Sequence, residues 1–434
     1  MGRPEQDAAD RESLTRLQGQ RLRAMLAEVL PRNGFYAERF ALANLKAADI
    51  QTPADLARLP FTTKNELLAD QAEHPPYGRV LTYPVERYSR MHQTSGTSGQ
   101  PLRWLDTPES WSWCLDCWRR IYDIVGIQPD DRLFFPFSFG PFLGFWSAFE
   151  EAGRRGLFIL AGGGMSSSAR LRHLLDHAIT VVLCTPTYAL RLAEVATEEG
   201  IDLASCAVRA LIVAGEPGGS VAAVRERIET AWGARVYDHS GMTEAGPLMV
   251  ECNGQRGGMH ALETECIVEV IDPVAGVPVP DGEMGELVLT NLGRWGSPLL
   301  RYRTGDLARI ESEPCPCGRM EQRLKDGILG RTDDMIHIRG NNLYPSAVEA
   351  LIRQVPGVAE YRVEVDSSGP LPSLNVEVEP VAAATPAVVV DRVDQVIRDA
   401  LLFRARVVAV APGTLPRFEM KARRVVMRPR LQPT

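Results

Sequence analysis

From residue 131 to about residue 240, short runs of consecutive apolar residues alternate with longer segments that have the pattern of helices. The apolar runs are RLFFPFSF, GLFILAG, TVVLCTP, VRALIVAGE and ARVYDHSG. Because the runs do not alternate with polar residues, we expect the strands they form to be buried on both faces, as in a parallel sheet covered by helices. The pattern therefore predicts an α/β fold with a large, doubly wound parallel-sheet domain.

The pattern changes on either side of this region. The first ninety residues read as helices broken by loops, and the runs ECIVEVID, GELVLTNL and LARI, separated by Pro and Gly turns, predict a β-rich subdomain. Near residue 331 a new mixture of helix and strand patterns begins, which predicts a small α+β domain of about one hundred residues. We therefore expect a large domain over residues 1–330 and a small one over residues 331–434.

The segments that follow the apolar runs differ in composition from the runs themselves. In doubly wound sheets, ligands bind beyond the carboxyl ends of the strands. The residues at those ends are small, polar or glycine-rich, and they occupy positions 138–140, 162–164, 185–186, 215–217 and 239–244. The functional site is expected there.

Charge and composition narrow the possible partners. The net charge of −7 and the pI of about 5.7 give no basic footprint for nucleic acid. The chain has no apolar run long enough to span a bilayer, and its first residues lack the apolar stretch of a signal peptide. We expect a cytoplasmic protein without nucleic-acid or membrane partners, whose eight cysteines stay reduced.

A glycine- and hydroxyl-rich segment, HQTSGTSGQPLRW, begins at His92. Its glycines permit close backbone approach, and its hydroxyl and N–H groups are suited to binding an anion such as phosphate. It is not a Walker loop, because Gln100 and Pro101 follow the last glycine instead of Lys-Ser or Lys-Thr. Taken alone, the segment is more simply a flexible surface loop.

Three thiols and one imidazole form a candidate metal site. Cys252, His260, Cys315 and Cys317 supply the ligand types of a closed tetrahedral zinc site, which would be structural. Their spacing is not that of a standard zinc finger, so an inert thiol cluster is the alternative. The sequence predicts structural zinc.

An aromatic, glycine-punctuated segment, FFPFSFGPFLGFW, lies at the end of the first strand of the α/β region. Such a segment suits a flat apolar slot for an aromatic ring, although simple packing between sheet and helix is the alternative. His239 either contacts a ring substituent or is a satisfied core histidine. The candidate substrate-lining residues are Phe139, Phe142, Ala214, His239, Gly241 and Met242.

Five strings occur together and in order: TSGTSG, YDHSGMTEAG, RYRTGDL, GRTDDMIHIRGNNLYPSAVE and LPRFEMKARRVV. With them the chain resembles the adenylate-forming superfamily of acyl-CoA synthetases, adenylation domains and luciferases, and within it the phenylacetate–CoA ligase-like branch. The resemblance extends from about residue 60 to the end of the chain. Each string alone is a weak signal, whereas five in register are a strong one.

The resemblance implies an AMP-forming acid–thiol ligase. An aryl carboxylic acid reacts with ATP to give aryl-AMP and pyrophosphate, and the acyl group then passes to coenzyme A to give an aryl-CoA thioester. Charge neutralisation and positioning do most of this work. Transfer to a carrier protein, or a nucleotide-binding regulator without catalysis, are the alternatives. The oligomeric state is open, with a homodimer among the possibilities.

The resemblance also assigns residues to the nucleotide. Glu244 would hold Mg²⁺ and Thr243 would bond the α-phosphate. Asp306 would accept the ribose hydroxyls, and Arg331 would bind ribose or phosphate. The loop around the departing phosphates would be Thr94, Ser95, Gly96, Thr97, Ser98 and Gly99, and the adenine would be flanked by Gly215, Glu216, Pro217, Tyr237 and Asp238.

The C-terminal strings imply a mobile small domain. Lys421 matches the family's catalytic lysine, which bridges the substrate carboxylate and the α-phosphate. Asp333 or Asp334 matches the hinge of that domain, and Gly340 would make room for the pantetheine arm of coenzyme A. Two residues depart from the family pattern, Gln100 in place of lysine and Met420 in place of glycine, and they keep the non-catalytic alternative open. The alternative for Lys421 is a solvated charge in a basic tail.

Overall fold

The computed structural model describes residues 10–94, 100–338, 341–366, 373–401, 403–418 and 422–428, without the side chains at 337, 341 and 342. Within these ranges the helices are α1 (Arg11–Val29), α2 (Gly34–Leu42), α3 (Lys64–Glu73), α4 (Pro108–Val125), α5 (Trp146–Arg154), α6 (Ser167–Asp176), α7 (Pro186–Glu198), α8 (Ala222–Trp232), α9 (Pro345–Arg353) and α10 (Pro386–Leu401).

Within the same ranges, the strands fall into five sheets. They are β1 (Arg90–Gln93), β2 (Arg103–Asp106), β3 (Arg132–Phe135), β4 (Phe158–Ala161), β5 (Val181–Cys184), β6 (Ala210–Ala214), β7 (Arg235–Met242), β8 (Gly246–Val250), β9 (Gly258–Ala261), β10 (Cys266–Ile271), β11 (Gly285–Asn291), β12 (Tyr302–Ala308), β13 (Arg323–Lys325), β14 (Gly330–Arg331), β15 (Ile336–Ile338), β16 (Asn341–Leu343), β17 (Val358–Asp366), β18 (Ser373–Pro380), β19 (Arg406–Ala409) and β20 (Val425–Arg428).

The largest sheet has eight strands in the order β13-β9-β8-β7-β6-β5-β3-β4. Strands β4, β3, β5, β6 and β7 run parallel, whereas β8, β9 and β13 continue the sheet in antiparallel fashion. The predicted α/β architecture is thereby confirmed. The antiparallel extension matters for the site, because it places β8 directly beside the carboxyl end of β7.

Both faces of the parallel strands are buried, as their unbroken apolar runs predict. On β6, Ala210 and Ile212 belong to the core that includes α4 and part of α5, whereas Leu211 and Val213 belong to the core that includes α6, α7 and α8. Successive side chains of a strand point to opposite faces, so one strand contributes to both cores. This two-sided burial fixes β6 and β7 at the centre of the large domain.

Side-chain caps begin the helices around this sheet. Thr107, Ser166 and Thr185 each accept a hydrogen bond from the backbone N–H three residues ahead, at the starts of α4, α6 and α7. Such caps satisfy N–H groups that lack a partner within the helix. Helix α4 ends at Gly126, whose φ of 81° requires the left-handed conformation that glycine adopts without a Cβ penalty.

The first strand is shorter than its apolar run. The run RLFFPFSF predicts a strand to position 139, but β3 ends at Phe135. Pro136 follows, and a proline has no N–H to donate within a sheet. The rest of the run turns away from the sheet, which leaves the aromatic segment in a loop at the sheet's edge.

The β-rich subdomain is a four-stranded sheet in the order β10-β11-β12-β14. The predicted small α+β domain is also present, with its own sheet in the order β19-β18-β17-β20 covered by α9 and α10. Its core is separate from the cores of the large sheet. The exact boundary between residues 330 and 331 stays a prediction. Among the described residues, no helix is long and apolar enough to cross a bilayer.

Truncating the central strand tests how far the site's scaffold depends on this packing. Ile212 in β6 is fully buried. We expect Ile212→Ala to lower the free energy of unfolding by about 2–5 kcal/mol, because the substitution leaves a cavity between the sheet and the helices. The control is Val274→Ala at a residue that is 96% exposed, for which we expect a change within about 0.5 kcal/mol. Urea unfolding followed by tryptophan fluorescence measures both. If Ile212→Ala and Val274→Ala lowered the free energy of unfolding equally, the burial of Ile212 between sheet and helices would be contradicted.

Candidate functional site

The candidate site lies where β6 and β7 end. Beyond Ala214, at the end of β6, residues 215–217 form a turn in which Gly215 has a φ of 96°. Gly215 and Pro217 are exposed and Glu216 is half-buried. Ala214 pairs with His239 on β7, so the ends of the two strands are adjacent. The sequence prediction that residues 215–217 and 239–244 share one edge of the sheet is confirmed.

A buried guanidinium connects the turn after β7 to the hairpin formed by β1 and β2. Arg294 donates from Nε (2.7 Å) and Nη2 (2.6 Å) to the carboxylate of Asp106 at the end of β2. Its Nη1 donates to the carbonyl oxygens of Thr243 (2.6 Å) and Glu244 (3.1 Å). Both charged side chains are fully buried. One side chain therefore fixes two segments that the sequence assigns to phosphate binding.

The charges of this pair are settled by its surroundings. Burial opposes the positive charge of Arg294, but the facing carboxylate of Asp106 holds the pKa of Arg294 above its ordinary value. His92 on β1 lies 3.9 Å from Asp106, and burial lowers the pKa of His92 to about 4. The imidazole is therefore neutral near pH 7, and Arg294 supplies the positive charge beside Asp106.

The hairpin carries the predicted phosphate loop. Thr94, at the end of β1, donates its backbone N–H to the carbonyl of Leu102 (2.9 Å), and its hydroxyl accepts from the N–H of Leu102 (3.0 Å). These bonds join the two strands of the hairpin on either side of residues 95–99. The predicted loop residues Ser95, Gly96, Thr97, Ser98 and Gly99 lie outside the described residues, as do Gly340 and Lys421.

Glu244 is a buried carboxylate that is held through one of its two oxygens. Its Oε1 accepts a hydrogen bond from the hydroxyl of Tyr302 (2.7 Å) on β12, and within the described ranges Oε2 has no hydrogen-bond partner. A carboxylate oxygen is the ligand that Mg²⁺ prefers, and a fixed side chain keeps that oxygen in place. The donor set thus fits the hard cation assigned to this residue from the sequence.

Asp306 lies on the same strand as Tyr302, four residues further along. Its Oδ1 accepts from Nη1 of Arg331 (3.0 Å), and Nε of Arg331 donates to Asp333 (2.9 Å). Asp306 also lines a small cavity together with Gly241 and Met242. Strand β12 therefore brings the predicted ribose ligand next to the end of β7.

Two further predicted residues lie on β7. Asp238 is buried against the backbone of Gly219, where a Cβ would come within 2.3 Å of its Oδ1, and it accepts a hydrogen bond from the hydroxyl of Ser220. Burial raises the pKa of Asp238 to about 7. Tyr237 donates its hydroxyl to the side-chain oxygen of Asn253. The loop after β6 thus closes over β7 through Asp238.

His239 is held in one tautomer. Its Nδ1 donates to the carbonyl of Met249 on β8 (2.6 Å), and its ring packs 4.6 Å from that of Trp118. Burial lowers the pKa of His239 to about 4, so the ring is neutral near pH 7. Since Nδ1 carries the proton, Nε2 is a hydrogen-bond acceptor, and no described residue donates to it.

The aromatic segment packs on itself. The ring of Phe139 lies 4.6 Å from Trp146 and 5.1 Å from Phe149, and Phe142 lies 5.6 Å from Phe137 in an edge-on arrangement. Phe139 and Phe142 are both half-buried. These contacts correspond to packing between the sheet edge and α5, the alternative to a ring-binding slot, and leave the slot itself a prediction.

The thiols and the imidazole do come together. The ligand atoms of Cys252, His260, Cys315 and Cys317 all lie within 4.8 Å of one another. The sulfurs of Cys252 and Cys315 are 3.6 Å apart, and that of Cys317 is 3.4 Å from Nε2 of His260. Zinc–ligand bonds of about 2.0–2.3 Å in a tetrahedron place ligand atoms about 3.5–3.8 Å apart. His260 donates from Nδ1 to a backbone carbonyl, at Glu321 (3.0 Å), which leaves Nε2 for a metal.

Sequence reasoning missed three residues that organise this site: Arg294, Asp106 and Tyr302. Arg294 and Asp106 are 188 positions apart and lie in no recognisable string, so no local pattern indicates their pairing. Tyr302 lies within RYRTGDL, but the string by itself assigns it no role. A buried charge at the end of an apolar strand, as at Asp106 in RWLD, is the one signal that points to a partner.

Comparison with known proteins gives two family matches. The model for the AMP-binding enzyme family matches residues 15–293, and that for the AMP-binding enzyme C-terminal domain matches residues 340–428. The chain is similar to the phenylacetate-coenzyme A ligase of Thermus thermophilus, with 33% identity over 382 residues that cover 87% of this chain and 84% of that protein.

Among solved structures, the chain is similar to a 2-hydroxyisobutyryl-CoA ligase in two states. The postadenylation state, in complex with R3-HIB-AMP, is 31% identical, with a TM-score of 0.90 over 98% of this chain and 90% of that chain. The thioesterification state, with 2-HIB-AMP and CoA, is 31% identical, with a TM-score of 0.74 over 98% of this chain and 94% of that chain.

Removing the counter-charge of Arg294 tests the buried pair. We expect Asp106→Asn to lower the unfolding free energy by about 3–5 kcal/mol, because it leaves a buried cation uncompensated. The double variant Asp106→Leu/Arg294→Met should recover most of that loss, since it removes both charges. Asp123→Asn, which breaks an exposed pair with Arg155, is the control and should cost less than about 1 kcal/mol. Chemical denaturation measures all three, and a cost for Asp106→Asn no larger than that of the control would refute this role.

Proposed function

The chain belongs to the AMP-binding enzyme family, and we propose that it is an AMP-forming acid–CoA ligase whose substrate is an aryl carboxylic acid. The observation that carries the proposal is the convergence of Thr243, Glu244 and Asp306 at the ends of β7 and β12, with Arg294 fixing the turn beside the loop-bearing hairpin. A hydroxyl for phosphate, a carboxylate for the metal ion and a carboxylate for ribose are the groups that must lie close together to bind a nucleoside triphosphate with its metal. The likeness to a phenylacetate-coenzyme A ligase supports a ring-bearing acid.

In the first step, a carboxylate oxygen of the acid attacks the α-phosphorus of ATP. A bond forms between that oxygen and phosphorus, the bond to the β-phosphate oxygen breaks, and pyrophosphate leaves with the electron pair. The product is an acyl-AMP. Both reactants are anions, so binding them side by side with fixed positive charge and hydrogen-bond donors is the main task of the protein.

The described residues supply these groups in distinct places. We assign the hydroxyl of Thr243 to the α-phosphate, the free oxygen of Glu244 to Mg²⁺, and Asp306 with Arg331 to the ribose. When bound, Mg²⁺ neutralises part of the phosphate charge. The adenine would lie against residues 215–217, Tyr237 and Asp238. Protonation of Asp238 near pH 7 would allow it to donate a hydrogen bond as well as accept one.

In the second step, the thiol of coenzyme A gives up its proton to solvent and its sulfur attacks the acyl carbonyl. The bond between the acyl carbon and the phosphate oxygen breaks, and AMP leaves with the electron pair. The family likeness assigns Lys421 to the first step and Gly340 to the approach of the pantetheine arm, with Asp333 as the hinge between them. These three assignments and the cytoplasmic location stay predictions. A carrier protein stays an alternative acceptor, and the oligomeric state stays open, with a homodimer among the possibilities.

A hydroxy acid is the second candidate substrate. His239 presents an acceptor nitrogen that no described residue fills, and such an atom favours a substrate with a hydroxyl or amino donor. A ring acid with such a substituent satisfies both the likeness to the phenylacetate-coenzyme A ligase and this acceptor. A short aliphatic hydroxy acid would satisfy the acceptor alone.

We also propose that Cys252, His260, Cys315 and Cys317 hold a structural zinc ion. The carrying observation is that their four ligand atoms all lie within 4.8 Å of one another, together with the hydrogen bond that orients His260. The four residues lie on or beside β8, β9 and β13, at the antiparallel end of the main sheet. The ion would fasten the loop that contains Cys315 and Cys317 to β9 and would take no part in the chemistry.

A panel of acids tests the proposed activity. With ATP and Mg²⁺, pyrophosphate release is expected for phenylacetate and hydroxyl- or amino-substituted ring acids, and coenzyme A should convert the product to a thioester. His239→Phe should lower kcat/KM about tenfold for acids that carry a donor, because a buried hydrogen bond is lost, while His239→Asn keeps an acceptor and should lose less. Unsubstituted ring acids serve as the control substrates. No pyrophosphate release with any ring acid would refute the aryl-acid proposal, and selective release with aliphatic hydroxy acids would favour the second candidate.

Metal analysis tests the zinc site. Protein purified without chelators is expected to contain about one zinc ion per chain. Cys315→Ser should remove it and lower the midpoint of thermal unfolding, since metal binding and folding are coupled. Cys206→Ser, a half-buried cysteine outside the cluster, is the control and should retain the metal. Metal-free wild-type protein with an unchanged unfolding midpoint after added zinc would rule the site out.

A further inference from the structure

The carboxylate of Glu216 contacts two backbone N–H groups from different domains. Its Oε1 accepts from the N–H of Thr187 (2.9 Å), in the first turn of α7. Its Oε2 accepts from the N–H of Ala422 (2.7 Å), in the small domain. Ala422 is the residue that directly follows Lys421 in the chain. A side chain at the end of β6 therefore holds the backbone next to the predicted catalytic lysine.

The contact to α7 anchors Glu216 within the large domain. The N–H groups in the first turn of a helix have no partner within the helix, and the helix dipole favours negative charge there. The hydroxyl of the N-cap Thr185 accepts a hydrogen bond from the N–H of Tyr188, and the carboxylate of Glu216 accepts one from the N–H of Thr187. The carboxylate is thus fixed by α7, and its second oxygen remains for the small domain.

Two arginines of the small domain dock on the same helix. Arg424 donates from Nη1 to the hydroxyl of Thr187 (3.2 Å), while its Nε and Nη2 donate to Glu360 of its own domain (2.7 and 3.0 Å). Arg417 donates from Nε to Glu194 (3.3 Å). The small domain therefore meets the large one along α7. Of the small-domain residues in these contacts, Ala422, the partner of Glu216, is the nearest in sequence to Lys421.

The arrangement of the two domains resembles one state of the related ligase more than another. The TM-score is 0.90 with the postadenylation state and 0.74 with the thioesterification state, at the same 31% identity. Since the two states belong to one protein, we take the difference in TM-score to reflect how its domains are arranged. We accordingly assign the contact between Glu216 and Ala422 to the adenylation side of the cycle.

We propose that Glu216 is a positioning residue for adenylation, which holds the segment after Lys421 against the large domain for the first step and releases it for the second. This inference rests on the proposed acid–CoA ligase function. When the small domain turns away, Glu216 keeps its bond to α7 and loses only the bond to Ala422. The role differs from contact with adenine, because it acts through the small domain and only in one half-reaction.

Separate measurement of the two half-reactions tests the proposal. Glu216→Gln retains the shape and one acceptor oxygen but cannot accept from both N–H groups. We expect single-turnover acyl-AMP formation at saturating ATP to slow about 10- to 100-fold. Thioester formation from supplied acyl-AMP and coenzyme A should stay within about twofold of wild type. Glu198→Gln, the same change on α7 at a residue that pairs only with Arg191 among the described residues, is the matched control and should alter neither step.

The outcomes separate the possible roles of Glu216. Equal slowing of both steps, or of neither, would overturn the proposal. A raised KM for ATP with an unchanged rate at saturation would instead assign Glu216 to nucleotide binding alone. Wild-type protein without acyl-AMP formation would refute the proposed function. Hydrogen exchange then tests the contact by itself, since Glu216→Gln should speed amide exchange in residues 422–428 without any substrate. Unchanged exchange there would overturn the positioning role.

Discussion

A fully buried guanidinium must have a counter-charge, and the way Arg294 meets this constraint shapes the whole candidate site. Its partner Asp106 ends the hairpin that carries the glycine-rich loop, and its remaining N–H group binds the backbone carbonyls of Thr243 and Glu244. The pair therefore sets the distance between the two segments assigned to phosphate binding. Replacing such a pair with apolar residues often costs little stability, so its value here lies in fixing the geometry.

The other parts of the site are held in place by further contacts between separate elements. Tyr302 and Asp306 lie on one strand, β12, and hold Glu244 and Arg331 respectively. The loop after β6 closes over Asp238 and extends Glu216 toward the small domain. The contacts of Tyr302 with Glu244 and of Glu216 with Ala422 join elements that are far apart in the chain, so the site is assembled by the fold and not by any single string of residues.

Much of this architecture could be predicted from the sequence, and the exceptions have physical reasons. Unbroken apolar runs predicted β5 and β6 because burial on both faces removes polar alternation, and strand ends predicted residues 215–217 and 239–244. The candidate metal-binding cysteines and histidine could be grouped by residue type alone. The pairing of Arg294 with Asp106 could not, because long-range partners leave no periodicity. Strand β3 was predicted too long, because its apolar run continues past the proline that ends it.

The formation of acyl-AMP in a single turnover tests the central claim most directly, namely that this geometry serves adenylation. Protein in excess is mixed with ATP labelled in the α-phosphate, Mg²⁺ and a ring acid accepted by the wild type, without coenzyme A. The reaction is quenched with acid, and the labelled products are separated. The account predicts conversion of bound ATP to acyl-AMP by the wild type, and formation at least about 100-fold slower by folded Asp106→Leu/Arg294→Met, because the phosphate-binding segments lose their fixed spacing. ADP as the product, or an unchanged rate in the folded double variant, would contradict it.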